Sequence, residues 1–169
     1  MAISDAIIEE LVREAELTRK VLERIPGDKL AWKPHPRSMT AGQLALHVTF
    51  LPGFFSGVLL TDGFDISGAP PENPQPKSLS EILQSLDSNI AQARESLGKL
   101  DDRKMQGTWK LTRGEKVLMA LPRLQVTRTI LLNHIYHHRG QLQVYLRLLE
   151  VKVPAIYGPT ADENPFAAV

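Results

Sequence analysis

The chain has 169 residues, enough for one ordinary domain and short for two, and 43% of them are hydrophobic, which supplies a core and argues against disorder. Twenty Lys and Arg against nineteen Asp and Glu leave a net charge of +1, too little to drive binding to nucleic acid or an acidic membrane. The absence of cysteine excludes a disulfide scaffold, a Cys-ligated zinc or iron–sulfur site and a cysteine nucleophile.

The N-terminus alternates apolar and charged residues and has no signal-peptide pattern. No stretch approaches the roughly 20 apolar residues of a membrane span, so a cytoplasmic location with no membrane partner is expected. Residues 4–24 form the first expected helix, with Ile7, Ile8, Leu11, Ala15, Thr18, Val21 and Leu22 at helical steps and Ser4 as its N-cap. Pro26-Gly27 ends it, and three prolines make 26–38 a loop. The second helix runs from Ser38 or Thr40 to about Leu60, with a kink or break at Pro52. Residues 61–77 are rich in Pro and Gly and too long for a tight turn, so they read as a connection crossing the molecule.

The third helix starts after Ser78 or Ser80 and ends near Gly98 or Leu100. Residues 101–119 are mixed, with 108–118 read as a short hairpin or an irregular loop. The fourth helix, about Leu121 to Leu149, takes Pro122 in its first turn. Four amphipathic helices, with no partner strands visible for 108–118, define an all-α, single-domain chain over residues 1–169, a helical bundle.

Three of the five histidines fall in NHIYHHRGQ on the fourth helix. His134 and His138 are four residues apart, so their rings stack on one face and can converge on one metal. They flank the stripe of Leu124, Leu131, Ile135, Leu142, Leu146 and Leu149, at roughly 80° and 40° from its centre. His47 lies roughly 70° from the centre of the second helix's stripe and is the natural third ligand if the two helices are neighbours. Three imidazoles leave a coordination position open, as a catalytic metal requires. Against this stands the plainer reading of His47 as a hydrogen-bonded core residue. His35, in the proline loop, is a weaker candidate.

HIYHHRGQLQVYLRLL at 134–149, WKPHPRSMTAGQLALHV at 32–48 and IYGPTADE at 156–163 resemble segments of the DinB-like family of metal-dependent enzymes. The resemblance implies a four-helix bundle in an up-down-down-up arrangement with a long crossover connection. It also implies zinc or nickel held by His47, His134 and His138, a homodimer, and in relatives of known activity a low-molecular-weight thiol as substrate or cofactor.

The expected function is therefore a divalent-metal-dependent, thiol-dependent S-transferase acting on a small-molecule substrate. A metal-dependent hydrolase is the alternative, disfavoured because the fourth helix has no acidic residue between Leu121 and Leu149 unless Asp162 or Glu163 reaches the metal. A stress-associated, non-enzymatic metal-binding or dimerisation module is the third reading, and would need a fourth protein ligand such as His35, Asp162 or Glu163. Gln141 and Tyr145 are candidate pocket residues, each with an alternative role in packing. Arg139 points away from the ligand pair and is expected to be a surface or interface charge.

Overall fold

A computed structural model of the chain describes residues 2–68 and 73–167. Helix α1 spans Ile3–Leu22. Its start is secured by the Asp5 carboxylate, which accepts the Ala2 N–H at 2.9 Å; Ser4, expected as the cap, is buried inside the first turn. After a single 3-10 turn at Gly27–Lys29, helix α2 spans Ala41–Val58. Thr40 caps it in both directions: its hydroxyl accepts Gln43 N–H at 3.1 Å, and Gln43 Oε1 accepts Thr40 N–H at 3.0 Å.

The helix runs on through Pro52. Beside that proline a Cβ on Gly53 would stand 2.1 Å from Asn89 Oδ1, so any larger residue would make the Asn89 side chain of the neighbouring helix move. Helix α3, Leu79–Gly98, uses this space to lie close against α2, with Thr49 Oγ1 donating to Ser85 Oγ at 2.9 Å. Ser78 caps α3, accepting Glu81 N–H at 3.2 Å.

Beyond α3 comes a short helix, α4, Asp102–Gln106, which the mixed composition of 101–119 conceals. The strands β2, Thr108–Arg113, and β3, Lys116–Pro122, then form an antiparallel hairpin. Its two-residue loop begins with Gly114 at φ 57°, while Glu115 keeps a negative φ, the pattern of a II′ turn. The expectation of a wholly α chain is corrected here. Strand β1, Gly63–Asp65, pairs in parallel with β2 and makes a small three-stranded sheet in the order β1-β2-β3. Trp109 pins the sheet to the end of α2, its indole N–H donating to Val58 O at 3.2 Å from a buried position.

The last long helix starts later than expected, because Pro122 ends β3 and does not occupy a first helical turn. Helix α5, Arg123–Val126, leads through a π-helical segment, Thr127–Leu132, into helix α6, Asn133–Leu148. The long helices touch in the sequence α1 to α3, α3 to α2, α2 to α6 and α6 back to α1. Their shared interior holds Leu11, Leu22, Leu44, Ile82, Leu97 and Leu142, all buried.

Arg139 lies within that interior, 2% exposed, and this corrects its expected place at the surface. Its guanidinium pairs with the Glu14 carboxylate of α1 at 2.7 Å and donates to Glu14 O and Thr18 Oγ1 at 3.1 and 3.3 Å. Tyr157, from the C-terminal tail, donates to the same Glu14 oxygen at 2.5 Å and also accepts from Arg139. The rings of Tyr136 and Tyr157 stand 5.4 and 5.1 Å from the guanidinium carbon. The signal was present in the sequence: Glu14 is the one charged residue on the buried face of α1, and a buried carboxylate needs a buried cation.

Candidate metal centre

Two elements bring three histidines together. The start of α6 carries His134 and His138 one turn apart, and α2 lies against α6 with His47 facing them. The ring centroids are 4.6 Å apart for His134 and His138, 4.8 Å for His47 and His138, and 5.4 Å for His47 and His134. One nitrogen from each ring lies within 4.8 Å of the other two. Small side-chain rotations would close such a set on one ion at the usual bond length of about 2.0–2.1 Å.

The donor set also has the right chemistry. Burial lowers the pKa of all three rings, most for His47, which falls to about 4 with further lowering from His138 and His134. At His134 a hydrogen bond to the backbone of Ile130 opposes the shift, and at His138 the bond to Gln141 does. The rings are neutral at pH 7, the state in which imidazole binds a metal. Gln141 adds direction. Its carbonyl oxygen lies 2.7 Å from His138 Nδ1 and can only accept, so Nδ1 carries the proton and Nε2 keeps a free lone pair.

The other sequence candidates lie elsewhere. Tyr145 packs edge-on against Trp32, with centroids 5.6 Å apart, and its hydroxyl donates to Met39 O at 3.2 Å, so it supports the loop before α2. His35 is exposed in that loop, its Nδ1 accepting Arg37 N–H at 3.2 Å. Asp162 binds Arg147 and accepts Val153 N–H at 2.8 Å. Glu163 binds Arg24 at 2.6 Å and accepts Ala155 N–H at 3.0 Å. Both carboxylates fasten the tail. Among the described residues, no fourth metal-binding side chain joins the three histidines.

A cavity of about 620 Å³ opens beside the histidines, with His47 and His134 in its wall. Sequence reading missed it because its lining comes from α2, α3, the sheet and the π segment together. The π segment ends directly before Asn133-His134. Its extra residue rotates α6 by about 100° relative to the continuation of an uninterrupted helix.

Depressed histidine pKa values have a consequence for stability. Below the ordinary value of 6.5 the unfolded chain takes up protons that the folded, metal-free site refuses. The unfolded state then binds more protons, so stability falls as pH decreases from about 6.5 toward 4. Thermal melts of the metal-free protein between pH 6.5 and 5 should show this slope, and His47→Gln should flatten it. Parallel slopes for the two proteins would contradict the assigned protonation.

The DinB family model matches residues 2–165 of the chain, which therefore belongs to the DinB family. The chain is 28% identical over 153 residues to the uncharacterized protein YrdA of Bacillus subtilis, covering 89% of this chain and 85% of that protein. A crystal structure of a DinB-like protein from Bacillus cereus superposes with a TM-score of 0.71 at 24% identity, over 92% of this chain and 98% of that one. A second, the DinB-like protein YjoA of B. subtilis, gives 0.69 at 18% identity, over 89% and 97%. These two share the fold. No helix among the described residues is long and apolar enough to cross a membrane.

Proposed function

We propose that the protein is a cytoplasmic, metal-dependent S-transferase that joins a low-molecular-weight thiol to a small electrophile. In this reading residues 1–169 form one domain, a four-helix bundle in the up-down-down-up arrangement, and His47, His134 and His138 hold zinc or nickel. The reading is supported above all by three neutral imidazoles facing one point, with no fourth protein ligand among the described residues. A bound divalent ion would supply positive charge that lowers the pKa of a coordinated thiol.

The protein's own groups supply the remainder. Gln141 holds His138 in the tautomer that presents Nε2. The cavity with His47 and His134 in its wall would receive the reacting end of the electrophile. In the transfer, the thiol sulfur forms a bond to the electrophilic carbon and the leaving group departs with its electron pair. The thiol proton passes to solvent. Because the chain has no cysteine, the only thiol nucleophile is the one brought by the small molecule. A homodimer fits Val144 and Leu148, which leave an apolar strip exposed one turn apart on α6.

The test is a panel of low-molecular-weight thiols with a chloronitroaromatic electrophile. Thioether formation should require the protein, cease on chelation, and return with zinc or nickel. No turnover with any thiol, in protein shown to carry metal, would remove the transferase reading.

A further inference from the structure

An unbroken path of aromatic rings leads from the surface to the histidines. Phe50 stacks on Phe54 with centroids 5.1 Å apart, Phe54 meets Phe55 at 5.2 Å and Phe64 at 5.6 Å, and Phe55 reaches the His134 ring at 5.9 Å. Phe50 is 39% exposed, so the path begins in solvent. These rings, with Leu46 and Ile130, wall the cavity of about 620 Å³. That volume lies within the roughly 300–1,000 Å³ typical of small-molecule sites.

Several of the polar groups in the wall are already engaged. Gln43 donates to Asn73 O at 2.9 Å and accepts from Thr40, and Ser85 accepts from Thr49 and Asn89. Among the described residues no Asp, Glu, Lys or Arg lines the space. A ligand charge placed here would lose its hydration without gaining a counterion, whereas apolar surface would be stabilised by leaving water.

We infer that this cavity binds a neutral, largely hydrocarbon small molecule, aromatic or branched, whose polar or reacting end lies at His47 and His134. The inference names the electrophile class for the transfer proposed above. It depends on that reading for the role of the polar end, while binding of the apolar body requires neither metal nor thiol. Phe55 against His134 sets where the two meet. A larger aromatic body would occupy the Phe54–Phe64 end and leave its smaller end beside the imidazoles.

The experiment titrates chelator-treated, thiol-free protein with the neutral fluorophore N-phenyl-1-naphthylamine and with its sulfonated relative, 1-anilinonaphthalene-8-sulfonate. Saturable binding of the neutral probe is expected, at least about ten-fold tighter than the sulfonate. Leu46→Trp, which fills the space, and Phe54→Asp, which places a carboxylate in it, should each weaken the neutral probe by about ten-fold or more. Circular dichroism identifies any variant that has lost its fold, and the other variant then decides. If neither folds, the preference between the two wild-type titrations decides. No saturable binding, equal affinity for the sulfonate, or wild-type affinity in a folded variant would overturn the inference. Failure of the thiol panel with probe binding intact would remove the transfer reaction and leave the binding site standing.

Discussion

Alanine at His47, His134 or His138 should take bound zinc or nickel from about one ion per chain to background. Each imidazole supplies a third of the protein donors, and the two left by any single substitution hold an ion no better than many surface pairs. Elemental analysis of untagged protein after desalting is the measurement. Gln141→Ala is the graded companion. It keeps all three rings but frees His138 to rotate and change tautomer, so metal affinity should fall by about 10–100-fold without being abolished. Competition with a chromogenic chelator reads that difference. If the three alanine variants retain wild-type metal, the ion is held elsewhere and the assignment of these ligands fails. If Gln141→Ala alone matches wild type, the 2.7 Å contact has no role in positioning.

The second large effect lies at Arg139. Replacing it with methionine keeps much of the side chain's length and removes the charge, leaving the Glu14 carboxylate buried beside Tyr157 without its cation. Both partners are almost wholly enclosed, at 2% and 11% side-chain exposure, so the loss resembles that of other buried pairs, about 3–5 kcal/mol. For a chain of this size that corresponds to a fall in Tm of roughly 6–20 °C. The double variant Glu14→Leu/Arg139→Met should recover much of the loss, because the desolvation cost of the orphaned charge disappears with it. Thermal unfolding of the two single variants and the double gives the coupling directly. A single Arg139→Met variant as stable as wild type would show the pair to be incidental.

Much of the helical architecture is legible in the sequence, because amphipathic spacing is a local signal. Of the starts open in the sequence, Ser38 or Thr40 for α2 and Ser78 or Ser80 for α3, the fold uses Thr40 and Ser78. The histidines are legible for the same reason, since four-residue spacing fixes the relative placement of His134 and His138. What escapes depends on distant partners. Gly63–Asp65 is too short to show alternation and becomes a strand only because β2 lies beside it. The π segment leaves no pattern in TRTILL. The helical wheel sets Arg139 about 60° from the centre of the buried stripe, on the flank opposite the histidines, and only the habit of reading a charge as an outward preference places it at the surface. A buried cation is legible only when the helix carrying its carboxylate is considered with it.

The first helix draws its polar anchors from far along the chain. Ile3 N–H donates to Asp102 at 2.8 Å, Glu10 accepts from Tyr136 at 2.8 Å, and Glu14 waits for Arg139 and Tyr157. Just beyond that helix's last turn, Arg24 binds Glu163. During synthesis, then, α1 emerges long before these polar partners do. Its apolar side can meet α3 earlier, but Glu10 and Glu14 stay without Tyr136, Arg139 and Tyr157 until α6 and the segment after it have been made. Contacts separated by 99 to 143 residues make this a high-contact-order closure, slow beside the pairing of α2 with α3. A nascent chain truncated before Tyr157 would hold a carboxylate in its interior with part of its neutralising shell missing, and would be a natural target for chaperones.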